Sequence, residues 1–333
     1  MCTTPSIIVA LTWFVASFEM LLAEEPIGRV VAYHGYTKAI EMKRGSARAV
    51  LCPQAGGRVL EFSVNGNHAL FLDDAEKKWQ PGKPGSISAG RFDYGPELTV
   101  IAHPKIWSGE WSAEIVGSVV KLTSPPEEAA GIQLVREFGF IEHNKSIGLS
   151  CKQTITNVSK ETREVCHWGR SFSPGSGICL IPLGDQPSRF PSKYAMYEDS
   201  AIINVRNKDD LIRERDGFLE ILAPPRKPKL GFDSYAGWLA YVMPNNALFV
   251  KRFATFPDRV YNEAAGLTLS VWYPTGPRIE LEPIGPRERL QPGDSASFTE
   301  DWWLLTHPYP KKDEKIDLKR LSEQVKNETF LSK

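Results

Sequence analysis

The last part of the chain contains two strands whose residues alternate between apolar and polar. The segment Arg278–Pro283 reads Arg-Ile-Glu-Leu-Glu-Pro, the period-2 pattern of a strand with one apolar and one polar face. A Pro-Gly-Asp turn then leads into a second strand, which ends in Trp302-Trp303. Glu280 and Glu282 therefore point from one face, roughly 6–7 Å apart along the strand. Two carboxylates placed in this way either face water or serve a site.

Short strands separated by Gly, Pro, Asn and Asp make up most of the chain, and many of them contain β-branched or aromatic residues. Two hairpin signals are specific, Asn65-Gly66-Asn67 and Asn245-Asn246. No fixed-period repeat is present, which favours a sandwich over a propeller. The pattern predicts an all-β fold. Its candidate strands, besides the two closing ones, are Arg29–Tyr33, Ala47–Cys52, Val59–Val64, Ala113–Thr123, Ile132–Phe140, Ser146–Ile155, Glu164–Trp168, Gly217–Leu222, Trp238–Met243, Ala247–Thr255 and Leu267–Tyr273.

Helical pattern is scarce and is clearest near the C-terminus. Between Asp317 and Phe330, three apolar residues recur at near-helical spacing in a charged segment. We therefore expect one β domain at 24–307, followed by a charged, short helical tail at 308–333. The segments Gln80–Ser88 and Gly184–Asp216 are predicted to be long loops, which on a rigid β scaffold often carry function.

The first residues indicate the compartment. Ile7–Ala23 is almost continuously apolar, too short for a comfortable spanning helix, and ends in Leu-Leu-Ala before an acidic stretch. We interpret residues 1–23 as a signal peptide, although no Lys or Arg precedes the apolar run. A later start at Met20 and an uncleaved N-terminal anchor are the alternatives. The protein is expected to be exported, to the periplasm or the medium.

Charge excludes some classes of partner. The 333-residue chain has 40 basic and 40 acidic residues. The predicted leader contains one acidic residue, Glu19, and no Lys or Arg, so its loss leaves 40 basic and 39 acidic residues and a net charge of +1. Neither nucleic acid nor an anionic membrane surface is indicated as a partner, and no membrane span is expected after cleavage.

The cysteines indicate neither a metal site nor a fixed disulfide pattern. Once the leader is removed, Cys52, Cys151, Cys166 and Cys179 remain, which allows three pairings. Adjacent antiparallel strands rarely offer good disulfide geometry, so free or partly paired thiols are favoured. There is no CxxC spacing, and Cys166-His167 alone does not make a zinc site. We predict no metal and no cofactor.

Segments at both ends of the body resemble a known superfamily. They are Pro53-Gln-Ala-Gly-Gly-Arg-Val-Leu-Glu-Phe-Ser-Val-Asn-Gly-Asn-His-Ala-Leu-Phe, Ile279-Glu-Leu-Glu-Pro, Leu290-Gln-Pro-Gly and Trp302-Trp-Leu. In this order and separation they are similar to the opening hairpin and closing strands of galactose mutarotase-like (aldose 1-epimerase-type) proteins, and most similar to an exported bacterial branch. The resemblance implies a large antiparallel β-sandwich, the supersandwich of that superfamily.

The resemblance also implies an acid–base pair. Such epimerases open a sugar ring with a carboxylate that removes the anomeric proton and a histidine that protonates the ring oxygen. Glu282, directly before a proline, matches the catalytic glutamate, and His167 best matches the acid histidine. Arg58 and Arg91 are the candidate donors to sugar hydroxyls. The alternatives are an ion-paired surface strand carboxylate for Glu282 and a hydrogen-bonded strand histidine for His167.

Two departures from the epimerase pattern favour sugar binding over turnover. The element around the acid histidine is Cys166-His-Trp-Gly-Arg, and the second histidine of the epimerases is replaced by the segment Gly90-Arg-Phe-Asp-Tyr-Gly-Pro-Glu. His103, which precedes a proline and lies near aromatic residues, could replace that histidine, or be a plain loop residue. Glu280 matches no motif of the superfamily, and we interpret it as a neighbour of the site or as an ion-pair partner.

Aromatic residues give a second indication of sugar binding, because sugars stack their C–H faces on Trp and Tyr rings. Trp107 and Trp168, beside polar and Gly-rich segments, are the stacking candidates, whereas Trp238 and Trp303 are expected in the core. Lys229 could reach an anionic sugar, but a solvated lysine is the default interpretation.

The leading hypothesis is an exported carbohydrate-binding or carbohydrate-processing protein, an isomerase if it is an enzyme. It would bind a sugar or the end of a polysaccharide, with Glu282 as base and His167 as acid. One alternative is a non-catalytic binding or scaffold protein of the cell envelope with the same fold. Another is a polysaccharide lyase or hydrolase.

Overall fold

A computed structural model describes residues 27–199 and 202–332. The predicted leader, its cleavage site and Met20 lie outside these residues. The regular elements of the described part are almost all strands. In chain order these are β1 (Gly28–Tyr33), β2 (Tyr36–Arg44), β3 (Ala47–Cys52), β4 (Arg58–Val64), β5 (Asn67–His68), β6 (Gly90–Gly95), β7 (Ser112–Val116), β8 (Val119–Thr123), β9 (Ile132–His143), β10 (Ser146–Asn157), β11 (Arg163–Pro174), β12 (Ile178–Pro182), β13 (Ala195–Tyr197), β14 (Ile203–Asn204), β15 (Ile212–Arg215), β16 (Phe218–Ile221), β17 (Lys229–Phe232), β18 (Trp238–Val242), β19 (Ala247–Phe253), β20 (Leu269–Trp272), β21 (Arg278–Pro283), β22 (Glu288–Leu290) and β23 (Ser295–Thr306).

The strands form two antiparallel sheets. The first sheet has 13 strands in the order β1-β2-β3-β4-β6-β11-β21-β20-β17-β13-β14, with β5 added to β4 and β22 to β11. The second sheet has 10 strands in the order β15-β16-β12-β18-β19-β23-β10-β9-β8-β7. This is the large antiparallel β-sandwich that the sequence predicts.

The two sheets share one apolar core. Trp302, on the second sheet, stacks on Phe92 of the first, with ring centroids 5.5 Å apart and planes 8° apart. Phe62 and Phe138 lie in the same cluster, and all four side chains are buried. The inner face of a sheet is defined as the one that faces this core, and the outer face as the opposite one.

A buried arginine ties the opening hairpin to the second sheet. Arg136, on β9, donates hydrogen bonds of 2.6 and 2.8 Å to the carbonyls of Gly56 and Gly57. It also bonds to the Phe92 carbonyl and to Gln153. Gly56 and Gly57 have positive φ angles of 75° and 54°, a conformation that glycine adopts at little cost. The Gly-Gly turn thus aims its carbonyls inward, where Arg136 satisfies them.

A buried ion pair joins the sheets beneath β11. Lys251 Nζ lies 2.9 Å from Glu300 Oε2, and both side chains are almost fully buried. The lysine also donates to the Ser171 hydroxyl and the Leu281 carbonyl, so its charge is well compensated. Gly169 lies directly above this pair, and a Cβ there would be 1.7 Å from Glu300 Oε1.

Two short helices and two 3₁₀ turns complete the described chain: α1 (Pro104–Trp107), α2 (Leu318–Glu328), and the turns Asp74–Lys78 and Glu97–Thr99. The predicted C-terminal helix is confirmed as α2, and the Asp317 side chain caps it by accepting from the Arg320 N–H. Its apolar side packs on the outer face of the second sheet, in a cluster that includes Trp303, Leu318, Leu321 and Val325. No helix in the described part of the chain is long and apolar enough to cross a membrane.

Several elements differ from the sequence-based expectation. The expected strand Ala113–Thr123 is a hairpin, β7 and β8, because the chain turns at Gly117 with φ 56°. The expected loop Gly184–Asp216 contains β13, β14 and β15. The four cysteines that follow the predicted leader agree with the favoured expectation of free thiols, since all four are buried and unpaired.

Substitution at Gly169 tests how closely the sheets pack beneath β11. We predict that Gly169→Ala lowers the free energy of unfolding by about 1–3 kcal/mol, because the new methyl group displaces the buried Glu300 carboxylate. Urea denaturation followed by fluorescence measures the change. Gly139→Ala is the matched control, since a Cβ at this strand glycine has its nearest neighbour at 3.5 Å. Equal effects of the two substitutions would contradict the packing described for Gly169.

Candidate active site

The pairing of strands in the first sheet places a group of polar side chains together on its outer face. Arg91 is paired with Arg170 across β6 and β11. Ser171 is paired with Leu281, and Trp168 bridges to Ile284, so Arg170 lies opposite Glu282. Directly paired residues point to the same face. Arg91, Arg170 and Glu282 therefore form one row across three strands.

Two neighbouring rows complete the site. On one side, Asp93 is paired with Trp168. On the other, Glu280 is paired with Trp272, which in turn is paired with Lys229. The three rows place carboxylates, cations and indole rings together on one face, away from the apolar core.

Glu282 lies at the centre of the site, and its carboxylate is fully buried. Trp168 donates its Nε1–H to Glu282 Oε2 over 2.8 Å. Lys229 Nζ lies 2.9 Å from Oε1 and 2.6 Å from Oε2, and reaches Glu282 diagonally from β17. The Lys229 side chain is 15 % exposed, so its ammonium lies at the solvent edge of an otherwise covered carboxylate.

Burial controls the ionisation of Glu282. Loss of hydration raises the pKa of its carboxyl group to about 7, with the nearby Glu280 carboxylate acting in the same direction, while Lys229 and Arg170 oppose the shift. For Lys229, burial alone would lower the pKa, but Glu282 and Glu97 outweigh it and raise the pKa. Glu282 can therefore both accept and release a proton near neutral pH.

A second ion-pair group lies beside the first. Arg170 donates from Nε to Glu280 Oε1 over 2.7 Å, and its Nη1 is 3.5 Å from Asp93 Oδ2. Its guanidinium carbon is 4.4 Å from the centre of the Trp168 ring and 5.0 Å from that of Trp107. Arg170 therefore connects two tryptophans and two carboxylates. With its side chain 19 % exposed, it is placed to meet a ligand. Of the two predicted stacking candidates, Trp168 is buried in an apolar cluster, so the prediction is wrong for it, and Trp107 alone of the two is half-buried.

Both ring nitrogens of His103 are engaged. Its Nε2 lies 2.9 Å from Asp93 Oδ1, and its Nδ1 lies 2.6 Å from the Ile101 carbonyl. Burial would lower the pKa of His103, but the Asp93 carboxylate outweighs it and raises the pKa. Burial would likewise raise the pKa of Asp93, but His103 and Arg170 lower it. The two shifts favour the charged forms of both groups, and the Nε2–Oδ1 contact is a close ion pair without the alignment of a hydrogen bond.

Trp107 and Arg91 form one edge of the site. The Arg91 guanidinium carbon lies 4.2 Å from the centre of the Trp107 ring, and the arginine donates to the Trp107 and Ser86 carbonyls. Arg91 is buried, and its Nε has no hydrogen-bond partner. The half-buried Trp107 ring is thus fixed by cations, Arg91 and Arg170, while part of it remains open for stacking.

Arg58 lies on the same face of the sheet but beneath a covering loop. Both of its terminal nitrogens bond to Glu76 over 2.7 Å, and Nη1 also donates to the Ser86 carbonyl. The side chain is fully buried. Its guanidinium therefore holds the 3₁₀ turn Asp74–Lys78 and the loop that follows, and is not presented to a ligand in this structure.

The structure does not bring His167 to Glu282. Alternate residues of a strand point to opposite faces, so His167 lies on the inner face while Trp168 and Arg170 lie on the outer one. The His167 ring is parallel to Phe298 at 5.7 Å, with Nε2 3.2 Å from the Ala296 carbonyl. Burial lowers the pKa of His167 to about 4. A neutral imidazole inside the core cannot reach a sugar on the other face, so the expected pairing with Glu282 is absent.

The fold places several groups at the site that the sequence pattern does not single out. Lys229 contacts Glu282 instead of being a solvated lysine. Asp93 and Arg170 also belong to the site. Their signal was the period of two: Arg170 follows Trp168 by two positions, and Asp93 follows Arg91 by two. Glu97 lies just after β6, with its carboxylate 3.5 Å from Lys229 Nζ.

Comparison with solved structures defines the class of fold. The Slr1438 protein from Synechocystis sp. PCC 6803 matches with a TM-score of 0.57 at 14% identity, covering 84% of this chain and 100% of that one. A candidate aldose 1-epimerase from Escherichia coli K12 gives 0.54 at 12% identity, with 81% and 99% covered. A galactose mutarotase-like protein from Lactobacillus casei ATCC 334 gives 0.54 at 13%, with 80% and 100% covered. No sequence-family model and no curated protein sequence matches the chain.

The protein therefore has the galactose mutarotase-like fold, as the sequence resemblance implies. Identities of 12–14% establish the fold alone. The chemistry must be argued from the side chains of this chain.

The His103–Asp93 contact provides a test of the site electrostatics. We predict that Asp93→Asn lowers the pKa of His103, because the carboxylate that raises it is removed while the opposing effect of burial remains. Titration of the imidazole nitrogens by NMR in ¹⁵N-histidine-labelled protein measures the change. The resonances of the distant His307, next to α2, serve as the internal control. An unchanged His103 titration would show that Asp93 does not hold its proton.

Proposed function

We propose that this protein binds a free sugar, or the reducing end of a sugar chain, on the outer face of its first sheet and interconverts the two anomers. Glu282 is the base that removes the proton of the anomeric hydroxyl. Trp107 supplies stacking surface, and Arg170 and Lys229 supply donors to hydroxyls, while the buried Trp168 holds Glu282 through its indole N–H. The predicted leader supports action outside the cytoplasm.

One observation carries the proposal: Glu282 is a buried carboxyl with its pKa raised to about 7, at the centre of a face lined by indole rings and charged hydrogen-bonding groups. A base poised near neutral pH exchanges protons with a hydroxyl more readily than a surface carboxylate does. Carbohydrate recognition needs the same mixture of aromatic faces and placed polar groups. The neighbours of the same fold, among them a candidate aldose 1-epimerase, support this reading.

The acid–base chemistry belongs to Glu282 rather than to Glu280. Glu280 accepts a 2.7 Å hydrogen bond from Arg170, which holds it as a fixed partner of that cation. Glu282 has a cation that can move, since a lysine side chain has four rotatable bonds and this one lies at the solvent edge. A sugar hydroxyl can therefore take the place of one Lys229 hydrogen bond.

The second candidate function is sugar binding without turnover. The observation that favours it is the complete cover of the Glu282 carboxylate by Trp168 and Lys229. If Lys229 does not move aside for a ligand, the Glu282 carboxylate serves only as the ion-pair partner of Lys229. The same fold would then serve as a carbohydrate-binding protein of the cell envelope.

Anomer exchange separates the two functions. Two-dimensional ¹H exchange NMR on a panel of free aldoses measures the rate of interconversion at equilibrium. We predict that Glu282→Gln lowers the enzyme-dependent rate about 10²–10⁴-fold, because the amide cannot take the anomeric proton. Glu142→Gln is the control, since Glu142 is a largely exposed carboxylate paired with Arg44.

Two results would count against the proposal, the first against turnover itself and the second against the placement of the reaction on the outer face. One is a wild-type rate no faster than that of Glu282→Gln for every sugar of the panel. The other is an equal loss of rate in His167→Gln after correction for stability, because His167 lies on the inner face. If the first result is accompanied by sugar-dependent quenching of tryptophan fluorescence, the binding function is the one that remains.

A further inference from the structure

The proposed reaction needs a proton donor that the histidines of this chain do not supply. His167 points into the core and is held neutral by burial. His103 shares the outer face, but its Nδ1 is bonded to the Ile101 carbonyl and its Nε2 lies against the Asp93 carboxylate in an ion pair. Neither imidazole is free to deliver a proton to a sugar ring oxygen beside Glu282.

Lys229 is the group whose protons are closest to the base. Its Nζ lies 2.6 and 2.9 Å from the two Glu282 oxygens. It is also 3.5 Å from Glu97 Oε2 and 5.2 Å from the centre of the Trp168 ring. The ammonium thus lies between two carboxylates, over the indole that also binds Glu282. A ligand that approaches Glu282 from solvent meets Lys229 before the fully buried carboxylate.

We propose that Lys229 is the general acid of the reaction and that Lys229 and Glu282 act as one adjacent acid–base pair. This inference rests on the proposed function. The anomeric oxygen and the ring oxygen of a sugar are bonded to the same carbon, so they lie side by side. A donor and an acceptor that are themselves in contact match this arrangement better than groups on opposite sides of the sugar.

The proton transfers balance within the pair. Glu282 takes the proton of the anomeric hydroxyl, and the electrons of that O–H bond form the aldehyde C=O bond. The bond between the anomeric carbon and the ring oxygen breaks, and its electron pair stays on the ring oxygen, which takes a proton from Lys229. The products are the open-chain aldehyde, a neutral Glu282 and a neutral Lys229. After rotation about the neighbouring C–C bond, the reverse transfers close the ring on the other face and restore both groups.

Coupling between the two charges makes a lysine a workable acid here. Burial favours the neutral amine, and the Glu282 carboxylate is the foremost reason that the pKa of Lys229 is nevertheless raised. When Glu282 accepts the sugar proton, this support for the ammonium is lost and burial favours release of the lysine proton. Transfer at one end of the pair therefore promotes transfer at the other.

A neighbouring carboxylate can hold Lys229 when the sugar takes part of its place on Glu282. The Glu97 carboxylate belongs to the 3₁₀ turn Glu97–Thr99, and the Glu97 N–H is held by Glu263 Oε2 at 2.7 Å. Glu263 is buried. The hydrogen bond from this buried carboxylate therefore fixes the position of the turn. Lys229 can shift toward Glu97 without leaving the site.

The deciding comparison is between Lys229→Arg and Lys229→Ala. Arginine keeps the positive charge but does not release a proton at accessible pH. We predict that both variants lose anomer exchange by about 10²-fold or more, while Lys229→Arg still quenches tryptophan fluorescence on sugar addition within a few-fold of the wild-type concentration dependence. Added methylammonium should restore part of the rate in Lys229→Ala, and guanidinium should not.

The possible outcomes distinguish an error in the role of Lys229 from an error in the proposed function. Wild-type exchange with an equally active Lys229→Arg overturns the role of Lys229 as acid and leaves the function standing. No wild-type exchange with any sugar overturns both. If the variants do not fold, the wild-type pH profile decides: its alkaline limb should shift with temperature as an ammonium does, and a limb insensitive to temperature would exclude the lysine.

Discussion

Strand β11 has to satisfy two unlike environments at once, and the arrangement of the site depends on this. Its inner side covers the buried Lys251–Glu300 pair, which requires a residue without a side chain at Gly169. Its outer side carries Trp168 and Arg170, which contact the carboxylates of β6 and β21. Because side chains alternate strictly along a strand, fixing the position of Gly169 also fixes which residues face a ligand.

Buried charge is handled differently on the two faces. On the inner side, Lys251 has Glu300, a hydroxyl and a carbonyl as partners, so its charge is compensated and held in place. On the outer side, Glu282 has Trp168 and the flexible Lys229, which still touches solvent. A fixed pair contributes to a unique packing of the sheets, whereas a pair with one mobile member at the surface can exchange partners with a ligand.

The sequence allowed the closing strands, the two-sheet class and α2 to be predicted, because alternation, turn residues and helical spacing are local signals. It also placed Glu282 on a polar strand face. It assigned both His167 and Trp168 to the site, although only one of them can share a face with Glu282. Adjacent residues of one strand never share a face, and the choice depends on the pairing of strands more than 100 positions apart. Lys229 was hidden for a similar reason, since its four-residue strand carries too few residues to show a period.

The charge arrangement has a consequence for selectivity. Lys229 lies between the Glu282 and Glu97 carboxylates, and Arg170 repeats this pattern with two others. A ligand that enters takes over hydrogen bonds from these pairs, and any bond that it fails to replace leaves a buried charge unpaired, which costs several kcal/mol. A polyhydroxylated ligand can donate to a carboxylate and accept from the ammonium with neighbouring oxygens. A ligand that lacks one of these hydroxyls would leave one of the charged groups without a hydrogen-bond partner, even if it stacked equally well on Trp107. Discrimination among sugars should therefore follow the positions of their hydroxyl groups rather than their size.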